Sequence, residues 1–333
     1  MQAGRSNTEV NSRIPILICI DVEPNERVID PGVPADWTGF ERTVEFFSEL
    51  RPRLETATRS AVHFSWFLRM DPQITDTSGS PDWVVTRYPR LIAELEAAGD
   101  ELGLHSHAFR WDAPAHDWVA DYANQEWVDH CVRSSFEAFQ TSLHRQCRSF
   151  RFGDHWMNDQ TIGLLEKLGA RFDLTLEPGA ATPQMPGEIF TGAFPDYSRI
   201  PQVPYRPHVS DFKKPSWWWK RDLWIIPISA GVKASAIASP EAKGRMWPAS
   251  NPGLPQEYMS LILGFDPSSF SRIANKLLSQ LKRPYLALPA RTDMALYPDR
   301  RSILERNIEF LVTHPLVKDF SFDTPAEALS RLR

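Results

Sequence analysis

Short apolar runs recur along the chain, and between them lie longer stretches whose apolar residues fall at helical spacing. Ile14 to Ile20 is one such run, unbroken by polar alternation and ending in Asp21, as a strand buried on both faces requires. Thr38 to Ala57 follows, with Phe40, Val44, Phe47, Leu50 and Leu54 on one helical face. The next run, Ala61 to Leu68, predicts a second strand, and Arg87 to Ala98 predicts a helix closed by Gly99. Strands at Glu101 to His105, Ser149 to Phe152 and Phe172 to Leu176 enclose helices at Gln125 to Leu143 and from Asn158 to Leu168, the latter stopped by Gly169. Beyond a proline-rich stretch between Pro178 and Pro255, strands are expected at Leu223 to Ile228, Pro284 to Leu288 and Asp319 to Phe322. Helices are expected over Asp299 to Thr313 and from Pro325.

Repeated strand-then-helix units imply a parallel sheet with right-handed crossovers, and about eight strands suffice to close a barrel. The expected fold is α/β: a single distorted or incomplete (β/α) barrel over residues 14–333, preceded by a polar tail over 1–13. That tail lacks the apolar core of a secretory signal, and no run of about eighteen apolar residues suggests a membrane span. Three cysteines, Cys19, Cys131 and Cys147, sit inside apparent strands and helices, so a reducing cytoplasm is expected rather than a disulfide framework. A net charge of −5 with no basic run gives no electrostatic case for binding nucleic acid or an anionic membrane.

In parallel α/β folds reacting groups gather at the carboxyl ends of strands. Three ends are polar here: Asp21-Val22-Glu23, His105-Ser106-His107, and Arg151-Phe152-Gly153-Asp154-His155. Singly each has an ordinary reading, Asp21 as a cap and Arg151 as an ion-pair partner. His105 and His107, two apart on extended backbone, point to one side and permit a shared metal. Together the acids, imidazoles and arginine have the composition of a metal-assisted hydrolytic site.

These segments resemble the polysaccharide deacetylases of NodB-homology type. Asp21-Val22-Glu23 is similar to that family's first acidic motif, Asp100-Glu101-Leu102-Gly103-Leu104-His105-Ser106 to its histidine motif, and Ser149-Phe150-Arg151-Phe152-Gly153 to its third, followed by Asn158, Leu164, Leu165, Leu168 and Gly169. Tyr205-Arg206-Pro207 and Ile225 to Ser229 resemble a branch found with surface-polysaccharide genes. The resemblance implies one divalent metal, commonly zinc, held by Glu23 and His105. Asp21 would be the base and Arg151 the residue that orients it. The implied reaction is removal of an N-acyl group from an amino sugar of a polysaccharide or its precursor.

The chain departs from the pattern twice. Phe109 stands where the family's second histidine ligand lies, so His107 is expected to substitute. The late strand runs Leu286-Ala287-Leu288-Pro289 into Ala290-Arg291-Thr292-Asp293 without the histidine that serves as general acid, leaving His155 or His208 for that role, or Arg291 for oxyanion stabilisation. Trp66, Trp156, Arg291 and Asp293 are the expected substrate contacts. Two other functions remain open, an amidohydrolase on another small molecule and a sugar-binding barrel that has lost catalysis.

Tryptophan is abundant, with 12 residues, three of them consecutive at Trp217-Trp218-Trp219. The triplet is read as a hydrophobic lid packed on the barrel; the alternatives are a stacking platform over its mouth or a lipid-interface contact.

Overall fold

The first strand, Ile14–Val22, lies in the middle of an all-parallel sheet, paired on one side with Ser65–Arg69 and on the other with Leu286–Arg291. The sheet continues through Glu101–Ser106, Ser149–Phe152, Phe172–Asp173 and Trp224–Ile225, and Phe320–Phe322 pairs with the start of the first strand. This computed structural model describes residues 13–179, 190–192, 195–232 and 258–332. Apart from Arg13, the polar tail expected over 1–13 lies outside them, as does much of the proline-rich stretch.

Side-chain alternation sorts the first strand into two faces. Ile16, Ile18, Ile20 and Val22 pack outward against the helices, in one large core. Leu17 and Cys19 point inward and meet Phe67, Leu174, Ile226, Tyr285 and Ala287, with Ala328 and Leu329 of the last helix, Pro325–Leu332, beside them. This second, smaller cluster is the barrel interior, filled with side chains as a small barrel must be. The ladder stays open between Trp224–Ile225 and Leu286–Arg291, but Ser229 spans the gap. Its N–H donates to Ala287 O at 2.9 Å and its Oγ accepts from Ala287 N at 3.0 Å. The result is the distorted (β/α) barrel that the strand pattern predicts.

Helices form where the caps and periodicity place them. Gln125–Leu143 starts at Asn124, whose side chain accepts from Trp127 N, and Asp159–Lys167 starts at Asn158, which accepts from Thr161 N. Gly99 and Gly169, at φ +82° and +93°, end their helices as expected. The helix expected around Arg87 to Ala98 spans Pro89–Ala97, and a separate short helix, Trp83–Arg87, precedes it and stops at Tyr88, the residue before a proline. Several elements were not anticipated, among them the short helix Pro72–Ser78. Pro267–Gln280 is a helix capped by Asp266, and Phe109–Asp112 pairs with Asp117–Asp121 as a hairpin beside the third strand end.

Candidate active site

Inward alternation carries Asp21 and Glu23 past Cys19 to the carboxyl end of the sheet. There Asp21, Glu23, His105, His107, Arg151, His155 and Arg291 line one pocket, together with Arg27 and Asp154. Asp21 pairs in register with Arg291 and His105 with Arg151, so four of these residues sit on neighbouring strands. Ile262, Phe265 and Met294 form an apolar side of the same pocket.

The two imidazoles define its centre. His105 Nε2 and His107 Nε2 face each other at 3.0 Å. His105 Nδ1 lies 3.0 Å from Arg151 O, a carbonyl that only accepts, so Nδ1 carries the proton. His107 Nδ1 lies 3.1 Å from Asp154 Oδ2, which assigns its proton in the same way. Both Nε2 atoms are thereby left with lone pairs directed at each other, an arrangement that only a cation or a proton between them relieves. Burial and the Arg69 charge push His107 down to about 4, against the pull of Asp154, and so oppose the proton. Glu23 Oε2 is 3.8 Å from His107 Nε2, and the ligand atoms of Glu23, His105 and His107 all lie within 4.8 Å of one another. Ligands about 2.1 Å from a tetrahedral ion are about 3.4 Å apart, so the trio fits a divalent metal held by two imidazoles and one carboxylate.

A second ring of groups fixes these ligands. Asp154 accepts from Tyr122 Oη at 2.7 Å and pairs with Arg27 as well as His107. Burial pushes its carboxyl up, but Arg27, His107 and Tyr122 outweigh that and hold it well below the usual range. Asp154 and His155 both adopt left-handed backbone, at φ 52° and 54°, which turns the two side chains back over the strand end. Asp71 Oδ2 accepts from His107 N and from Arg69 Nε, both at 2.9 Å. Arg69 Nη1 reaches Glu23 Oε2 at 3.3 Å, and Arg291 Nε reaches Glu23 Oε1 at 3.2 Å. Against the upward push of burial, Arg291, His105, His107 and Arg69 hold the Glu23 carboxyl far below its usual value.

Asp21 occupies a different environment. Arg151 Nε donates to both of its oxygens, at 2.8 and 3.1 Å, while Arg151 Nη1 donates to Leu174 O at 2.8 Å. The guanidinium thus fixes the carboxylate relative to two strands.

Other expected contacts lie elsewhere. Trp66 is fully buried among Phe40 and Phe47, with Nε1 donating to Asp100 at 2.8 Å, and it does not line the pocket. Trp156 is buried in a stack on Tyr122 and also stays out of the lining. Asp293 is buried behind Arg291, holding that residue and Arg300. His208 sits on the hairpin formed by Pro207–His208 and Asp211–Pro215, away from the pocket lining. Phe109, in the place of the missing histidine, stacks on His107 with centroids 5.1 Å apart. The lid reading of the tryptophan triplet is corrected: Trp217, Trp218 and Trp219 are 86%, 91% and 71% exposed. Sequence reasoning missed Arg27, Arg69, Asp71, Tyr122 and Asp154. Asp154 alone carried a signal, lying inside a polar strand end already singled out.

An α/β barrel with acids, imidazoles and an arginine at the strand carboxyl ends is therefore the class of protein that fold and site define. Two solved structures share the fold. A Puue allantoinase superposes with a TM-score of 0.51 at 12% identity, over 96% of this chain and 90% of that one. A chain described as a glycoside hydrolase/deacetylase from Parabacteroides distasonis gives 0.52 at 12% identity, over 94% and 70%. A chain described as a polysaccharide deacetylase from Mycobacterium smegmatis gives 0.49 at 14% identity, over 100% and 94%. No family model matches the sequence, and neither does any curated protein. The shared architecture is the polysaccharide-deacetylase type of distorted barrel.

Proposed function

We propose that this protein is a metal-dependent hydrolase that removes an N-acyl group, such as acetyl, from an amino sugar. The observation that carries the proposal is the pair of Nε2 lone pairs 3.0 Å apart beside the Glu23 carboxylate, each imidazole fixed from behind through Nδ1. Glu23, His105 and His107 would hold the ion, in keeping with zinc's preference for imidazole and carboxylate. When bound, such an ion supplies Lewis acidity, lowering the pKa of water and polarising an acyl carbonyl.

The chain's own groups divide the remaining work. Asp21, oriented by Arg151, takes the proton of the attacking water. His155, half-buried in the pocket lining with Nδ1 3.3 Å from Thr175 O, would return a proton to the leaving amine. Arg291, at the end of Leu286–Arg291, adds positive charge where the acyl oxygen becomes negative. Ile262, Phe265 and Met294 give the acyl methyl an apolar wall. The carbohydrate itself would lie over the pocket mouth.

One observation favours a second reading. Glu23 is already engaged by two guanidiniums, Arg69 and Arg291, as it would be in a sugar-binding barrel without a metal. Zinc titration by calorimetry, with an assay of acetate release from N-acetylated amino-sugar oligomers, separates the two. One zinc per chain and acetate release are expected. Zinc binding without release from any sugar, but with turnover of small amides, would point to another amidohydrolase. Absence of zinc binding in wild type would overturn the metal centre and leave the binding barrel.

A further inference from the structure

We infer that the tryptophan-bearing bend at 217–219, which follows the hairpin of Pro207–His208 and Asp211–Pro215, is a docking knob for the interface of an anionic lipid bilayer. Trp217, Trp218 and Trp219 are 86%, 91% and 71% exposed, whereas no other large apolar side chain among the described residues exceeds 53%. Rings this exposed project from the surface and wall no groove. None of them lines the pocket. Val209 and Val203 of the same region are also exposed, at 44% and 39%.

The knob is held stiffly despite its exposure. Ser216 N donates to Arg206 O, Val209 N to Trp219 O and Trp219 N to Ser216 Oγ. Arg221 donates to both Val209 O and Glu166, which ties the turn to helix Asp159–Lys167. At the hairpin's other end Phe212 N donates to Asp159, and the Phe212 ring packs edge-on against Tyr197. Tyr197 Oη in turn donates to the carbonyl of His155, a residue of the pocket. The rings are therefore presented by a frame anchored to the wall that carries the site, and little ordering cost remains to be met on binding.

Charge selects the occupant. Between Arg206 and Asp222 five basic residues stand against two acidic ones, in a chain whose net charge is −5. Asp211 pairs with Lys214, Asp222 with Arg206 and Glu166 with Arg221, and Lys213 lies near Asp196 and Asp211, while Lys220, exposed beside Trp219, borders the rings. A second copy of this chain would set like charges against each other across a symmetric contact. Indole rings bordered by a lysine match the headgroup layer of an anionic leaflet, where tryptophan partitions to the interface and basic residues add attraction.

Flotation of the full chain with phosphatidylcholine vesicles, with and without phosphatidylglycerol, tests the inference. Brominated acyl chains report tryptophan contact through fluorescence quenching. Wild type is expected to float with the anionic vesicles and to be quenched by them. Trp217→Ala/Trp218→Ala/Trp219→Ala is expected to lose partition by at least about tenfold with an unchanged melting temperature, since exposed rings hold no core together. Lys213→Glu/Lys220→Glu, which keeps all three rings and serves should the triple variant misfold, is expected to lose about tenfold. Wild type that stays with the soluble fraction overturns the inference, as does a folded triple variant that floats like wild type. A concentration-dependent dimer or a shift with oligonucleotide that depends on the three rings, in place of vesicle binding, assigns the knob to another partner and overturns it as well.

Discussion

Gly153 lies against the imidazole of His107 so closely that a Cβ at this position would sit under 3.0 Å from three atoms of the ring. The histidine proposed to stand in for the missing ligand therefore depends on a glycine 46 residues further along the chain. Gly153→Ala is expected to swing His107 away from His105 and to lower zinc affinity at least tenfold, about the loss seen when an outer support is removed. Overpacking should cost about 1–3 kcal/mol as well, so the melting temperature falls without loss of the fold. Calorimetric zinc titration decides it, and a variant that binds zinc as tightly as wild type would remove His107 from the ligand set.

Asp21→Asn keeps a carbonyl oxygen for Arg151 Nε but loses the proposed base. Turnover is expected to fall by about 10²–10⁴-fold, the usual contribution of a positioned proton acceptor. Zinc stoichiometry should stay unchanged. Loss of metal together with turnover would make Asp21 a ligand instead. Elemental analysis and acetate release on one preparation report both quantities.

A pH effect follows from Asp173, which is buried on Phe172–Asp173 and accepts from Thr175 Oγ1 at 2.6 Å. Burial pushes its carboxyl up to about 7, against Thr175 and Arg151, from an ordinary 3.8. Between those values the folded chain holds a proton that the unfolded chain has released, so this group lowers stability as pH rises through the window. Asp173→Asn stays neutral throughout. Its melting temperature should therefore decline less than that of wild type between about pH 5 and pH 8. Parallel curves for the two proteins would contradict the assignment.

The first-strand run ending in Asp21 and the glycines after two helices were legible because local chemistry decides them. The same holds for the inward pairing of His105 with His107, which follows from extended backbone alone. Asp154 was visible as a polar residue but not as the support of His107, because that role rests on left-handed backbone at 154 and on Arg27, 127 residues away. Trp66 was placed at the pocket because the expected strand, Ala61 to Leu68, puts it near a carboxyl end, whereas it is the second residue of Ser65–Arg69. Its alternation instead turns the ring outward to Asp100, a partner that strand position does not reveal. The helix Pro267–Gln280 carried readable signals, a capping Asp266 and a proline in its first turn, but it follows the proline-rich stretch that reads as loop.

The position of Ile14–Val22 in the sheet has a consequence for how the molecule comes into being. One neighbour, Ser65–Arg69, leaves the ribosome soon after it, but the other, Leu286–Arg291, is synthesised more than 260 residues later. Until then the apolar first strand has one unpaired edge, open to mispairing and to chaperones. Asp21 and Glu23 ride on that strand and Arg291 arrives on its late partner, so closing this long loop also brings the last charged group to the pocket. Nascent chains arrested before residue 286 would carry the histidine pair but lack a finished centre.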